Sequence, residues 1–118
     1  MKLRIQNDTI RLRFSMEELE RLCEGHVLEM STSFVGGALR TTVLPTGSEG
    51  HISLKEGVLA VDVPQDLLIA LNKGNDEGFT MELGTSTVAI EKDFACIGRE
   101  EEKNDGLFPN PKLNDGTC

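Results

Sequence analysis

Tryptophan and tyrosine are absent from the 118 residues, and phenylalanine occurs only five times. The flat aromatic platforms on which proteins stack bases or sugars are therefore missing, apart from those five rings. Cysteine is also scarce. Cys23, Cys96 and Cys118 are too few and too scattered for a disulfide scaffold, and their odd number leaves at least one thiol unpaired within the chain. Reduced thiols, and with them a cytoplasmic setting, are the expectation. Positive charge is in deficit, with 12 Lys and Arg against 20 Asp and Glu and a formal net charge of -8. Nucleic acid and anionic membranes, which attract an excess of Lys and Arg, are poor partners for such a chain. No apolar run is long enough to span a bilayer, and the N-terminus lacks the apolar stretch of a signal peptide. What remains is a soluble protein of one domain, large enough to bury a real core.

The residues that are present fall into a repeated pattern. Leu3 and Ile5 alternate with Lys2 and Arg4, then Ile10, Leu12 and Phe14 alternate with Arg11 and Arg13. That is a hairpin turning at Asn7-Asp8, two residues that tolerate a positive φ. Ser15 followed by Glu18 reads as a capping box for a helix with Met16, Leu19, Leu22 and Cys23 on its apolar face, ended by Gly25. A second hairpin follows, with Leu28, Met30 and Phe34 on one face, a turn at Gly36-Gly37, and a return from Leu39 to Leu44. The order then recurs. His51 to Leu54 and Val58 to Val63 flank a Glu56-Gly57 turn, and Pro64 opens a helix carrying Leu67, Leu68 and Leu71 that Gly74 ends. Phe79 to Leu83 and Thr87 to Glu91 form the last hairpin.

Laying Leu3 on Ile52 also matches Ile5 with Leu54, Leu12 with Val61, Phe14 with Val63, Leu19 with Leu68, Leu22 with Leu71 and Gly25 with Gly74, without a gap. The expected fold is α+β: two ββαββ units related by internal duplication, in an antiparallel sheet or barrel-like sheets with two helices and one core. The units span about 1–49 and 50–95 of a single domain at 1–97. Residues 98–118 are charged and rich in Gly, Asn and Pro, and read as an irregular tail, which Leu107, Phe108 and Pro109 would dock onto the body.

The stretches "KLRI…IRLRFS…EELERL" at the start and "EKDFACI…LFPNP" at the end resemble a family of short bacterial proteins of unknown function. The likeness covers most of the chain and is most distinctive at Glu91 to Ile97 and Phe108 to Pro111. It implies a bacterial origin and carries over no functional residue.

Chemistry is sparsely represented. Nucleophilic catalysis needs a thiol or hydroxyl beside a histidine that an acid orients. Cys23 sits on the apolar face of the first helix, and His51 faces Asp62 as an ordinary cross-strand pair. Neither arrangement supports an enzyme, and no phosphate-binding or dinucleotide fingerprint occurs. No metal site and no cofactor is expected. Cys96, Cys118, His26, His51 and Glu100 to Glu102 are capable ligands, but no local spacing brings two of them together.

Two features stand out. In the second helix Leu67, Leu68, Ile69, Ala70 and Leu71 are consecutive, leaving no polar side over the middle turn. Such a helix is covered by something, and Leu67, Ile69 and Ala70 are candidates for a homodimer interface or for a clamp by the tail. In the opening hairpin Lys2, Arg4, Arg11 and Arg13 share a face. They are either neutralised by the protein's own carboxylates, Glu29 among them, or form a cradle for a small anionic ligand. Two readings of function follow: a non-enzymatic binding or assembly module, or a protein that binds an anion or phosphorylated metabolite on the basic hairpin. A polyphosphate-hydrolysing barrel would need cations in both halves. Arg4, Arg11 and Arg13 correspond to Ser53, Ala60 and Asp62, so that third reading is the weakest.

Overall fold

The computed structural model describes residues 1–94. Ten elements follow one another: β1 (Lys2–Gln6), β2 (Thr9–Phe14), α1 (Met16–Cys23), β3 (Leu28–Phe34), β4 (Gly37–Thr46), β5 (His51–Lys55), β6 (Val58–Pro64), α2 (Gln65–Lys73), β7 (Gly78–Leu83) and β8 (Ser86–Lys92). The fold is α+β, and each half contains hairpin, helix and hairpin in the same order. The tail expected at 98–118, with Phe108 and the Cys96 and Cys118 thiols, lies outside the described residues.

The strands form two four-stranded sheets, ordered β1-β2-β8-β7 and β3-β4-β6-β5. Each half therefore sends its second hairpin to the other half's first. The sheets are mixed, where the sequence suggests an antiparallel sheet or barrel-like sheets. Inside each sheet the two hairpins meet in a parallel pair, β2 with β8 and β4 with β6. The direction follows from the path of the chain. The helix takes over at the end where β2 stops, β3 runs away from that end, and β4 returns to it. β4 thus points the same way as β6, and neighbours that point the same way can pair only in parallel.

Exchanging the halves maps one sheet onto the other, and the hairpin registers transfer with it. Leu3 faces Leu12 as Ile52 faces Val61. The parallel junction does not transfer. Thr9 faces Thr87, but Val58, its counterpart, faces Arg40 rather than Ala38. The adjoining backbone bonds show the same slip: Thr87 N–H donates to the Asp8 carbonyl, whereas Arg40 N–H donates to the Gly57 carbonyl, both at 2.9 Å. A shift of two residues keeps every side chain on its face, so the core survives it. Its effect is to push the β3–β4 hairpin farther out than its counterpart.

The core lies between the sheets and under the helices. Ile10, Leu12 and Phe14 of β2 are buried together with Leu59, Val61 and Val63 of β6, joined by Val43, Val88 and Ile90. Each such side chain contributes about 1.5–3 kcal/mol. α1 begins as its sequence dictates: the Ser15 hydroxyl accepts from Glu18 N–H at 3.2 Å and the Glu18 carboxylate accepts from Ser15 N–H at 2.9 Å. It buries Leu19 and Leu22, while Met16, expected on the apolar face, is 76% exposed because it occupies the first turn, beyond the core's edge. α2 buries the corresponding Leu68 and Leu71. The helices pack on each other, and Gln65 Nε2 donates to the Cys23 carbonyl at 2.7 Å. Replacing Leu22 or Leu68 with Ala would cost about 2–5 kcal/mol.

Candidate binding site

The basic hairpin forms in the expected register, with Arg4 opposite Arg11 and Lys2 opposite Arg13. The carboxylates that meet it come from the other half of the chain. The parallel pairing brings Glu91 opposite Arg13, where its two oxygens take Arg11 Nη1 at 2.7 Å and Arg13 Nε at 3.2 Å. Lys2 Nζ lies 3.0 Å from Asp93. Gly78, opposite Glu91, lets β7 come close, since a Cβ there would collide with the Ile90 carbonyl. Glu29 does not take part. It belongs to the other sheet and pairs with Arg40 at 3.3 Å. Arg4 makes no ion pair among the described residues.

The other candidates are dispersed. On α2, Leu67 is 42% exposed, Ile69 is half-buried and Ala70 is exposed. His51 pairs with Asp62 in the β5–β6 ladder, as expected. Cys23 is free and half-buried against the core. Burial raises its thiol pKa above the ordinary value, and Glu20 and Glu24 add to the effect against Lys73. Among the described residues no three His, Cys, Asp or Glu side chains cluster as metal ligands would, and no helix is long and apolar enough to cross a membrane.

The end of the molecule away from the helices holds what the sequence did not reveal. There the two sheets separate, leaving a cleft of about 340 Å³ at the hairpin-turn ends of the strands. Ile5, Ile10 and Ser86 line it from one sheet, and Leu39, Ile52, Ser53, Leu54 and Leu59 from the other. The volume falls within the roughly 300–1,000 Å³ typical of ligand sites. Among the described residues, none that lines it is charged. Ile5 and Leu54, matched in the repeat, are 56% and 69% exposed. The alignment pairs them as alternating strand residues, which sequence periodicity assigns to a core face. Whether two sheets close over such positions or splay apart is decided by tertiary packing, so the only signal available was the match itself.

No curated protein and no solved structure matches this chain. A model of a family of unknown function, DUF7009, matches residues 1–112, and the chain belongs to that family.

Proposed function

We infer that this is a small, non-enzymatic binding module whose site is the cleft between the open ends of its two sheets. The observation that carries the reading is the lining: among the described residues it consists of six aliphatic side chains and two serines, with no acid, base or thiol. Such a surface suits holding an uncharged apolar group more than turning over a substrate. A cytoplasmic setting accords with the free Cys23 thiol.

The anion-binding alternative on Lys2, Arg4, Arg11 and Arg13 meets competition from within. An incoming phosphate would have to displace Glu91 from two guanidiniums and Asp93 from Lys2. An assembly face on α2 has less to offer than the cleft, because Ile69 is already half-buried.

The test is titration of the full chain at low concentration with Nile red, an uncharged apolar dye, and separately with inorganic phosphate. Saturable enhancement of the dye's emission, abolished by Leu54→Lys, supports the cleft. Phosphate binding that Arg11→Ala abolishes, with no dye binding, would replace this reading with the anion site.

A further inference from the structure

The two-residue slip at the β4–β6 junction leaves a projecting arm. Beyond Arg40, which faces Val58, the rungs Thr32–Leu39, Ser33–Ala38 and Phe34–Gly37 pair with no further strand among the described residues, and the β5–β6 turn reaches only as far as Gly57 beside the Ala38 carbonyl. At roughly 3.3 Å per residue, three rungs and a turn carry the arm about 10 Å past β6. Residues 31–38 are all exposed, including Phe34 at 61% and Val35 with its side chain wholly in solvent. The matched hairpin of the other half ends at Leu83-Gly84, where Leu83 packs against the core. A bare two-stranded ribbon is marginal in water, and an aromatic ring and a valine side by side at its tip are apolar surface that a partner could bury.

The chain carries a surface suited to that tip, at the same end. Leu39, at the arm's base, lines the cleft, and Phe34 lies on the same face of the ribbon as Leu39. The arm and the cleft also share a feature unusual in so acidic a chain. Residues 31–38 (STSFVGGA) contain no charge, and neither do the described residues that line the cleft. Two molecules of net charge -8 repel wherever charged faces meet, and an uncharged arm seated on an uncharged lining brings no carboxylate into the contact itself, with the exposed Asp8 and Glu56 of the neighbouring turns left at its rim.

We propose that the occupant of the cleft is the arm of a second copy of this chain, with two molecules exchanging arms about a twofold axis. Phe34 and Val35 of each copy enter the cleft of the other, between Ile5 and Leu54. The symmetry makes the contact closed and self-limiting at two subunits. This rests on the cleft being a binding site and names its partner. Each copy contributes an arm and a cleft, roughly sixteen residues, fewer than the roughly 20–30 a side of a standard interface. The dimer is accordingly weak, with dissociation in the micromolar range of about 1–100 μM.

The experiment is sedimentation equilibrium on the full chain across that range, with Phe34→Ser and Leu54→Lys variants whose folding is checked by far-ultraviolet circular dichroism. Both positions are exposed, so both variants should fold. The wild type should shift from monomer to dimer, and each variant alone should associate at least tenfold more weakly. The deciding measurement is the mixture. The Leu54→Lys copy keeps its arm and the Phe34→Ser copy keeps its cleft, so one of the two contacts is restored. The mixed sample should dimerise more strongly than either variant alone. A wild type monomeric throughout, a dimer indifferent to both substitutions, or a mixture with no gain would each overturn the proposal. Nile red separates this failure from failure of the cleft itself. Dye bound by a monomeric Phe34→Ser protein would leave the cleft a binding site for something other than the arm, whereas no dye bound by it would remove both readings.

Discussion

Asn7 and Glu56 occupy the same place in the two halves and the same left-handed backbone conformation, with φ of 52° and 50°. Each is the first turn residue of its half's opening hairpin, yet the turns differ in the second position. Gly57 follows Glu56 with φ 81°, a pair of positive values typical of the tightest hairpin turns, whereas Asp8 does not share the positive φ of Asn7. Asparagine tolerates this conformation through its short polar side chain. Glutamate has no such relief, and the Cβ clash costs about 1–2 kcal/mol.

Glu56→Asn should therefore stabilise the protein, by about 1 kcal/mol, since it keeps the turn and removes most of that strain. Urea denaturation followed by circular dichroism measures this directly. A midpoint unchanged or lowered would show that the turn is held by something other than its local backbone preference.

Glu91→Gln should be destabilising by roughly 1 kcal/mol at low salt, taking the two partly exposed pairs at about 0.2–1 kcal/mol each. It also leaves the like-charged pairs Arg4–Arg11 and Lys2–Arg13 facing each other with less compensation. Added salt should shrink the difference between variant and wild type, because screening weakens both the lost attraction and the exposed repulsion. A difference constant from low to high salt would assign the effect to packing instead.

The architecture was legible where one physical rule governs one segment. The Ser15–Glu18 box, the alternation around Leu12 and Val61, and the glycines after both helices are local signals, and each produced the expected element. The register of the basic hairpin followed from its turn length. What was not legible depends on how distant segments meet. The sequence contains Glu91 and Glu29 alike, but the crossing of β8 onto β2 decides that Glu91, and not Glu29, reaches the arginines. The slip at Arg40 and Val58 is of the same kind. It preserves hydrophobic alternation, so alternation could not register it, and yet it creates the exposed arm.

Cys23 should react slowly with iodoacetamide at neutral pH. Burial and then the charges of Glu20 and Glu24 hold its thiol pKa above the ordinary value, so the reactive thiolate is depleted. The check is the alkylation rate at this residue, followed by mass spectrometry of its own peptide and compared with urea-unfolded protein. Equal rates in the two states would mean that neither packing nor charge protects the sulfur.

The last expectation concerns acid and Glu18. This carboxylate completes the helix cap with Ser15 and also accepts from the Met1 amino group at 2.5 Å. Burial alone would raise its pKa. The bond from the Met1 ammonium, the bonds from Ser15 and the ammonium's charge outweigh burial, and the net result lies below the ordinary value of 4.5. A carboxyl group whose pKa is lower in the folded than in the unfolded state binds protons preferentially when unfolded. Its stabilising contribution is full above the unfolded value near 4.5 and disappears as pH falls through the lowered folded value. Glu18→Gln should thus be less stable than wild type at pH 7, while the gap closes on acidification below pH 4.5. Urea midpoints for both proteins across that span measure the gap. If it stayed constant down to the lowest pH at which both remain folded, the ionised form of Glu18 would not be what holds the start of α1 to the N-terminal strand.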